Sequence, residues 1–328
     1  MLFRKWKKKL WRYKSERLSA LYDKPLPPPS DHEKELVGEL QSTFSRFQRW
    51  EKKDCLPSEK EWIENMVRLK ELVLNDDPRQ FLRWDVVLKT MFVTNASYVG
   101  PELEYLRSLS DWDSRWRNVL EESPVGHPVP YWRYPRSSGS LIHHAYHWAQ
   151  FEQTTGLRAD GLDFVFEFGG GYGNMCRLIH RLGFEGRYLL FHLPAFSALQ
   201  KFFLKSTDIS VYSIESFKMA QNGVLCISDL EELKEILSNH VSPGNSVFIA
   251  TWSISEAPIR LRDTILTLVS AFRAFLIAYQ ASFGEVDNIE FFEQWQKQHH
   301  DVDWQDWRID QVPGGSRYLV GKRRSQSG

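Results

Sequence analysis

The sequence predicts a doubly wound α/β domain that follows a helical N-terminal region. From about Leu162 onward, short apolar runs alternate with amphipathic helical segments, which is typical of a sheet covered by helices on both faces. Within that part, FVFEFGGGYGNMCRLIHRLG at Phe164–Gly183 has the pattern of a buried strand, a glycine-dense turn and the start of a helix. Residues 31–120 instead place apolar residues at helical spacing among charged ones, as in SEKEWIENMVRLKELVLN.

The composition supports a folded chain with a sizeable core. Of its 328 residues, 42% are hydrophobic and 14% aromatic, which suits one large domain or two modest ones. No run of about 18 apolar residues is present to span a bilayer, and the N-terminus lacks the apolar stretch of a signal peptide. The cysteines, Cys55, Cys176 and Cys226, have no paired spacing, so neither a disulfide framework nor a cysteine zinc site is indicated. We therefore expect a cytoplasmic protein, and we leave its oligomeric state open.

Charge is unevenly distributed along the chain, although the formal net charge is zero. Residues 1–24 hold nine Lys and Arg against Glu16 and Asp23, with apolar residues such as Trp6 and Trp11 between them. Such a basic arm would lie on the anionic inner face of a membrane or dock on a partner, or it is a solvated basic helix. The C-terminal half carries no basic stripe, so nucleic acid is not expected as a partner.

Changes in composition divide the chain into three parts. KPLPPPS at residues 24–30 is a stiff proline spacer, which makes residues 1–30 a basic arm with a linker. Residues 31–140 form the helical region and end in ESPVGHPVPYWRYPRSSGS, a segment too rich in Pro, Gly and Ser for a regular element. We expect this segment to be a loop that faces the substrate. Residues 141–328 form the α/β domain.

Strands and helices alternate through the predicted α/β domain. Each strand is a short apolar run, whereas each helix repeats apolar residues every three or four positions. The expected strands are Asp163–Phe168, Arg187–His192, either Ile209–Ile214 or Gly223–Ile227, Ser246–Thr251 and Phe275–Tyr279, with closing strands near Trp307–Asp310 and Arg317–Gly321. The expected helices are Asn174–Leu182, Ala195–Leu204, Leu230–Leu237 and Ile259–Ala274. In such a sheet, ligands bind at the carboxyl ends of the strands.

The turn after the first of these strands indicates a site for an adenosine-containing cofactor. Glycines let the backbone turn sharply and approach a ligand closely. A dinucleotide fingerprint, G-x-G-x-x-G, would need glycine in place of Asn174 and is therefore incomplete. The turn does satisfy G-x-G-x-G through Gly169, Gly171 and Gly173, and the acidic Glu167 precedes it.

FEFGGGYGNMCRLI resembles motif I of class I S-adenosylmethionine-dependent methyltransferases, in which the loop wraps the amino-acid end of the cofactor. Together with LIHHAYHWAQFEQTTG, YLLFHLPAFSALQKFFL, ATWSISEAP and AYQASFGEVDNIEFF, it resembles the sugar O-methyltransferase family found among bacterial polysaccharide genes. The resemblance runs from about Ser138 to Gly321. It implies a Rossmann-like class I methyltransferase sheet, S-adenosylmethionine as the cofactor and a sugar hydroxyl as the methyl acceptor.

The resemblance also implies where the cofactor is held. His192, followed by Leu193, stands where the family usually has an aspartate for the ribose hydroxyls; an imidazole bonds one hydroxyl, or the histidine only caps the strand. Ser228 and Asp229 would hold the adenine, although Asp229 is equally a good helix N-cap. Trp252 would stack on adenine or on a sugar, or it belongs to the core. The amino-acid end would be held by Glu167, Gly169, Gly170, Gly171, Tyr172 and Gly173.

Methyl transfer to a sugar hydroxyl calls for a base near the acceptor oxygen, because a protonated hydroxyl is a poor nucleophile. The oxygen must also come to about 3 Å from the methyl carbon and line up with the leaving sulfur. Glu256, in TWSISEAP just beyond the fourth strand, is the first candidate for this base. The alternative is a carboxylate stabilised at a helix N-terminus, since Pro258 should start the next helix.

The motif HHAYH supplies a second candidate site. His143 and His147 lie four positions apart on one helix face, whereas His144 and Tyr146 point elsewhere. We consider His143 and His144 as further candidates for the catalytic base, with Tyr146 and His147 as substrate contacts. Two histidines at this spacing could share a divalent metal, but no H-E-x-x-H motif or nearby carboxylate triad accompanies them, so no metal is expected. The remaining alternative is a polar helix surface.

Two further features are compatible with a glycan substrate. Asp287 and Asn288, in GEVDN after the fifth strand, would bond sugar hydroxyls as acceptor and donor, unless they only build a turn. Tyr131, Trp132 and Tyr134 in the proline-rich segment could form a stacking platform, yet a chain with 13 tryptophans must bury many of them.

Three functions are therefore open from the sequence. The first is a sugar O-methyltransferase that acts on a glycan, a lipid-linked saccharide or a nucleotide sugar. The second is an NAD-dependent oxidoreductase, against which the missing third glycine argues. The third is a non-catalytic glycan-binding subunit that keeps the fold, with His192 as a sign of lost activity.

Overall fold

The computed structural model describes residues 14–48, 57–241, 244–312 and 314–324. The chain separates into two compact units. We call residues 14–48 and 64–149 the N-terminal unit, and residues 57–63 and 150–324 the sheet unit. Of the predicted basic arm, residues 1–13 lie outside the described residues, and residues 14–20 are helical.

The N-terminal unit is helical, as its spacing of apolar residues predicts. Ser30 starts its first long helix with a capping box: the Ser30 hydroxyl accepts from the Glu33 N–H, and the Glu33 carboxylate accepts from the Ser30 N–H. Leu36, Leu40 and Phe44 are buried along one face of this helix. Helices that begin before residue 150 are 14–20, Asp31–Arg46, Pro57–Asn75, Pro78–Arg83, Asp85–Thr90, Val99–Ser108, Trp112–Trp116, Arg117–Val119 and Gly139–Thr155.

The proline-rich segment contains a regular element, which corrects the expectation that it is too broken for one. Pro130–Tyr131 pairs antiparallel with Tyr134–Ser138 in a two-stranded ribbon. Both strands of such a ribbon are edge strands, so a proline that lacks an N–H donor is tolerated there. The high proline content therefore excluded a central strand but not this ribbon.

Seven strands form one sheet in the sheet unit. They are β1 Phe164–Phe168, β2 Arg187–Phe191, β3 Gly223–Ile227, β4 Ser246–Thr251, β5 Ala274–Tyr279, β6 Val302–Arg308 and β7 Arg317–Arg323. Their order across the sheet is β3-β2-β1-β4-β5-β7-β6. The first five are parallel, and β7 runs antiparallel to both β5 and β6. This is the order of a Rossmann-like class I methyltransferase sheet, so the predicted fold class is confirmed.

The parallel strands are largely buried on both faces. All residues of β1, β3 and β5 are buried, as expected where helices cover both sides of a parallel sheet. The register places Phe166 of β1 between Leu189 of β2 and Phe248 of β4. The α-helices that begin after residue 150 in this unit are α1 Asn174–Arg181, α2 Pro194–Ser206, α3 Ile214–Met219, α4 Leu230–Asn239, α5 Ser253–Glu256, α6 Ile259–Leu268 and α7 Asn288–Gln298.

Three predicted boundaries differ from the structure. Of the two candidates for the third strand, Gly223–Ile227 forms it, whereas Val211 of the other candidate makes only an isolated bridge. The helix expected to reach Ala274 ends at Leu268, because Ala274 already pairs with β4 in the sheet. The sixth strand begins at Val302, before the expected Trp307; of its seven residues only Val302 is buried, so its apolar pattern is weak. Across the described ranges, we find no helix with the length and apolar character needed to cross a membrane.

Candidate active site

The predicted cofactor turn lies at the reversal point of the sheet. The chain moves outward from β1 to β2 and β3 on one side, and then to β4 and β5 on the other. In open α/β sheets this reversal creates a crevice at the carboxyl ends of the central strands, where ligands bind. Gly169 directly follows β1 and Trp252 directly follows β4, so both lie at this edge.

The glycines of the turn are required by its backbone conformation. The φ angles of Gly169, Gly170, Gly171 and Gly173 are +92°, +62°, +50° and +97°, a region that residues with a Cβ rarely adopt. A Cβ on Gly169 would also lie 2.4 Å from the Cβ of Ser253 in α5. The G-x-G-x-G pattern therefore reflects both the turn itself and its close contact with the segment after β4.

Two N–H groups of the turn, those of Gly170 and Gly171, donate to no acceptor within the described residues. The neighbouring donors are used: the Gly169 N–H bonds the Phe191 carbonyl at 2.9 Å, and the Gly173 N–H bonds the Gly170 carbonyl at 2.8 Å. Successive backbone N–H groups in such a turn form a concave site for an anion. The turn can therefore receive the oxygen atoms of a carboxylate or a phosphate.

Glu167 places a carboxyl group beside this turn. It belongs to β1 and is 2% exposed, and a Cβ on Gly170 would lie 3.0 Å from its carboxyl carbon. The hydroxyl of Tyr188, in β2, donates a hydrogen bond of 2.7 Å to Glu167 Oε2. Burial raises the pKa of Glu167 to about 7, against the opposing effect of this hydrogen bond. The group therefore changes ionisation near neutral pH.

His192 directly follows β2 at the same edge of the sheet. Its Nδ1 accepts a hydrogen bond of 2.8 Å from the Leu193 N–H, and its ring stacks on Phe196 with 4.8 Å between ring centroids. Trp62 contacts both rings edge-on. Burial lowers the pKa of His192 to about 3, so the ring is neutral at pH 7. Because Nδ1 is an acceptor, the ring proton lies on Nε2, which can donate to a ligand.

Ser228 and Asp229 follow β3, next to His192. The backbone N–H of His192 bonds the carbonyl of Ile227, the last residue of β3. Asp229 is the N-cap of α4, because its Oδ1 accepts from the backbone N–H groups of Glu231 and Glu232. The capping alternative is therefore present in the structure, and an adenine contact by Ser228 or Asp229 stays a prediction.

Trp252 has an unusual backbone conformation. Its φ is +63° and its ψ is −29°, and only a few per cent of residues other than glycine have positive φ. Its N–H bonds the Ala278 carbonyl at 2.6 Å, and its indole N–H bonds Ser316 Oγ at 3.2 Å. Its side chain is partly exposed, so it is not an ordinary buried tryptophan. Left-handed conformations of large residues often occur at functional sites.

Glu256 ends α5 close behind Trp252. Gln280, just after β5, donates from Nε2 to Glu256 Oε1 over 3.4 Å. Burial raises the pKa of Glu256 to about 6, while this hydrogen bond lowers it. Pro258 is the N-cap of α6, so Glu256 lies before that helix and outside its first turn. The carboxylate is therefore available as a base at neutral pH.

Arg262 fixes the segment that carries Glu256. It is 1% exposed, and its guanidinium donates to the carbonyls of Ser255 and Ala257, the two residues that flank Glu256. A third bond, of 2.6 Å, joins Arg262 Nη1 to Asn288 Oδ1. Glu256 is thus carried on a segment whose backbone is held on both sides.

Asp287 and Asn288 have structural contacts in the sheet unit. The Asn288 side chain is buried, and besides accepting from Arg262 it donates to the Gln280 carbonyl at 2.9 Å. Asp287 is exposed and is the N-cap of α7, where its Oδ1 accepts from the N–H groups of Ile289 and Glu290. Asp287 thus caps a helix and Asn288 links Arg262 to the Gln280 carbonyl, and sugar binding by this pair stays a prediction.

The predicted histidines form a cluster in the N-terminal unit. Both carboxylate oxygens of Glu102 contact His143 Nδ1, at 2.8 and 3.0 Å, and both residues are buried. Since a carboxylate only accepts hydrogen bonds, this pairing places a ring proton on Nδ1. The ring centroids of His147 and His143 are 4.0 Å apart, and the Tyr146 ring contacts the Tyr105 ring edge-on.

Burial lowers the pKa values of the two neighbouring histidines. That of His144 falls to about 3 and that of His147 falls well below its usual value, and the proximity of His143 adds to both effects. In the described ranges, no group of three or more His, Cys, Asp or Glu side chains is arranged to hold a metal ion. The roles of His143 and His144 as bases, and of Tyr146 and His147 as substrate contacts, stay predictions.

Sequence reasoning missed the residues that hold these groups in place. Four residues hydrogen-bond to predicted site residues from distant positions in the chain, so no local sequence pattern reveals them. They are Tyr188, Gln280, Arg262 and Glu102. Gln200 could have been noticed, because it interrupts the apolar residues of PAFSALQKFFL in α2. A polar residue on a buried helix face needs a hydrogen-bond partner, and the partners of Gln200 lie in the cofactor turn.

No protein-family profile and no curated protein sequence matches the chain. Among solved structures, it is similar to the mitomycin 7-O-methyltransferase, at 13% identity over 77% of this chain and 75% of that chain, with a TM-score of 0.38. It is also similar to an O-methyltransferase from Bacillus cereus in complex with S-adenosylhomocysteine, at 8% identity over 73% of this chain and 95% of that chain, with a TM-score of 0.39.

A third similar structure is the magnesium protoporphyrin IX methyltransferase of Synechocystis with bound S-adenosylmethionine. The identity is 12% over 70% of this chain and 98% of that chain, with a TM-score of 0.35. Similarities with TM-scores this low do not by themselves support a fold assignment. The fold assignment therefore depends on the strand order and on the antiparallel β7 of the chain itself.

Proposed function

We propose that the chain is an S-adenosylmethionine-dependent methyltransferase that acts on a sugar hydroxyl of a glycan, a lipid-linked saccharide or a nucleotide sugar. The observation that carries this proposal is the pair of N–H donors at Gly170 and Gly171, next to the carboxyl group of Glu167, at the reversal point of the sheet. This combination offers both an anion site and an acidic group.

The charge of the ligand distinguishes the two cofactor classes. The amino-acid end of S-adenosylmethionine has a carboxylate for the Gly170 and Gly171 donors and an ammonium for the Glu167 carboxylate. A pyrophosphate offers only negative charge, which a buried carboxylate beside the turn would repel. The residues present therefore fit the sulfonium cofactor better than a nicotinamide dinucleotide.

The nucleoside end fits the edge formed by β2 and β3. His192 can donate from Nε2 to one ribose hydroxyl, where a carboxylate would accept from two. Phe196 keeps the His192 ring in a fixed plane by stacking on it. Ser228 directly follows Ile227, whose carbonyl accepts from the His192 N–H, and we propose that Ser228 contacts the adenine. We therefore propose that His192 replaces the usual acidic residue with a single, neutral hydrogen bond.

Bound S-adenosylmethionine supplies a methyl group on a sulfonium centre. For the acceptor, we propose that Glu256 binds the acceptor hydroxyl and accepts its proton. With a pKa of about 6, most of this carboxylate is ionised at pH 7 while remaining a useful base. Gln280 orients the carboxylate, and the hydrogen bonds of Arg262 to the flanking carbonyls limit its movement.

A sugar acceptor is supported by the sequence resemblance and by the groups around Glu256. Trp252 has a partly exposed indole that could stack on a sugar face, and the exposed Asp287 could accept from a hydroxyl. The basic arm at residues 1–24 suits peripheral contact with an anionic membrane surface, where lipid-linked glycans are assembled. Together these features are the support for a saccharide acceptor.

Calorimetry with S-adenosylhomocysteine and NAD tests the cofactor assignment. We expect the full chain to bind S-adenosylhomocysteine and not NAD. Binding of NAD alone would support the oxidoreductase, and binding of neither would support a non-catalytic subunit; either result would overturn the proposal. Mass spectrometry of surface glycans from cells with and without the gene tests the acceptor, and the expected change is the loss of a methyl group from one sugar.

A further inference from the structure

Gln200 of α2 contacts the cofactor turn from inside the protein. Its side chain has no exposed surface, and its Nε2 donates to the carbonyls of Gly169 and Gly171, each at 2.9 Å. Since both acceptors are carbonyl oxygens, the group that faces them must be the NH₂ of the amide. One side chain thus holds two peptide groups of the turn.

The hydrogen bonds from Gln200 determine the direction in which the Gly170 N–H points. In a trans peptide the C=O of one residue and the N–H of the next point in opposite directions, and the described residues contain no cis peptide. The Gly169 carbonyl points to Gln200, so the N–H of Gly170 points away from it. That N–H is one of the two that donate to nothing in the described part of the chain.

The remaining carbonyls near the start of the turn are held in other ways. Ser253 Oγ donates to the Phe168 carbonyl at 2.5 Å, and the Gly170 carbonyl accepts from the Gly173 N–H. Because the Gly170 carbonyl points to the Gly173 N–H, the Gly171 N–H of the same peptide group points the opposite way. All four carbonyls from Phe168 to Gly171 are therefore engaged, and none needs to face a bound carboxylate.

Gln200 also has an unsatisfied group. Its Oε1 is buried and has no hydrogen-bond partner among the described residues. A buried acceptor without a partner is unfavourable, and an apolar residue of the same length would avoid it. The glutamine is therefore poorly explained by packing alone, whereas its two donors explain it.

We infer that Gln200 is a positioning residue that presents the Gly170 N–H to the carboxylate of the cofactor, an inference that rests on the proposed function. Gln200 does not touch the ligand in this account. It acts through the turn, and it matters only for ligands that have the amino-acid end. 5′-Methylthioadenosine, which shares the nucleoside and the sulfur but lacks that end, provides the comparison.

Calorimetry on the full chain with Gln200→Met tests this inference. Because two hydrogen bonds to the turn are lost, we expect affinity for S-adenosylhomocysteine to fall by roughly tenfold or more. Affinity for 5′-methylthioadenosine should stay within about twofold, because this ligand lacks the amino-acid end that the turn binds. Lys201→Met, on the exposed side of the same helix, is the matched control and should change neither affinity.

A second variant covers the case in which Gln200→Met does not fold. In Gln200→Glu, a protonated side chain can donate one hydrogen bond to the turn, whereas the ionised form repels both carbonyls. Its deficit in S-adenosylhomocysteine affinity relative to the wild type should therefore shrink as pH falls. A purely structural role predicts that the affinity for 5′-methylthioadenosine changes with pH to the same extent.

The outcomes separate the two proposals. Wild-type protein that binds no S-adenosylhomocysteine overturns the proposed function and this inference with it. If the wild type binds and a folded Gln200→Met binds equally well, or loses both ligands to the same extent, the inference alone is wrong. A pH-independent deficit in Gln200→Glu would also contradict it.

Discussion

The Tyr188 hydroxyl donates a hydrogen bond of 2.7 Å to Glu167 Oε2, inside the sheet and beside the cofactor turn. This bond favours the ionised carboxyl, but burial opposes it more strongly and raises the pKa of Glu167 from 4.5 to about 7. The folded chain therefore retains a proton on Glu167 at pH values where the unfolded chain has lost it.

The first prediction is a pH-dependent stability that arises from Glu167. Since the folded-state pKa is the higher one, the free energy of unfolding should fall as pH rises from 4.5 to about 7, and then level off. The total effect is about 3 kcal/mol. Urea denaturation at several pH values measures it as the difference between wild type and Glu167→Gln. A difference that does not vary between pH 5 and 7 would contradict the prediction.

The second prediction concerns catalysis by Glu256. Glu256→Gln should lower the rate of methyl transfer by roughly 10²- to 10⁴-fold, the usual contribution of a general base. Affinity for S-adenosylhomocysteine should stay within a few-fold, because the proposed role concerns the acceptor. Transfer of labelled methyl to isolated glycans measures the rate, with the exposed Glu285→Gln as the control. An unchanged rate would remove Glu256 from the mechanism.

The third prediction concerns the pKa of the Glu256 carboxyl group and the pH dependence of methyl transfer. Since Gln280 lowers the pKa of Glu256 from the value that burial alone would give, Gln280→Met should raise that pKa above about 6. Transfer should then need a higher pH to reach its plateau. Proton titration of Gln280→Met with and without Glu256→Gln reports the pKa directly, and Gln294→Met, at an exposed glutamine, is the control. A pKa equal to that of the wild type would show that Gln280 does not act on Glu256.

The sequence predicted the sheet and the cofactor turn because both depend on local patterns. The strand β1, the turn and α1 are adjacent in the chain, and the left-handed conformations at Gly169 and Gly173 need glycine at those positions. The order of β7 and β6 at the sheet edge was not predicted. The place of β7 between β5 and β6 depends on its pairing with β5, a segment distant in the chain, which spacing does not encode.

The site was predicted less completely than the fold. Glu256 and His192 were proposed as site residues because each comes after a strand, where ligand-binding residues of this fold occur. Their pKa values were not predictable, because burial and the partners Gln280 and Phe196 come from other elements. Asp229 was correctly considered as an N-cap, since capping depends on residues within one turn.

The fourth prediction concerns the basic arm. Asp23 lies at its end and forms an ion pair of 2.6 Å with Arg83, and its Oδ1 also contacts His127. Deletion of residues 1–13 spares these contacts and removes six of the nine basic residues. Each basic residue near an anionic surface contributes about 1 kcal/mol, so the shortened chain should lose binding to vesicles that contain phosphatidylserine. Co-sedimentation at fixed salt measures this, with neutral vesicles as the control. Equal binding by both forms would refute the membrane role.

The fifth prediction separates backbone strain from close packing in the cofactor turn. Gly169 and Gly156 both have left-handed backbone, with φ of +92° and +68°, so alanine at either position costs about 1–2 kcal/mol of stability. An alanine Cβ at Gly169 would also lie 2.4 Å from the Cβ of Ser253, whereas the space at Gly156 is open.

Overpacking should therefore cost Gly169→Ala a further 1–3 kcal/mol or so, beyond the loss in Gly156→Ala. Because relief of the contact displaces the turn from Ser253, Gly169→Ala should also lose most of its affinity for S-adenosylhomocysteine, while Gly156→Ala keeps it. Urea denaturation and calorimetry measure the two effects. Equal stability losses in the two variants, with ligand binding kept in both, would show that contact between the turn and α5 does not shape the cofactor site.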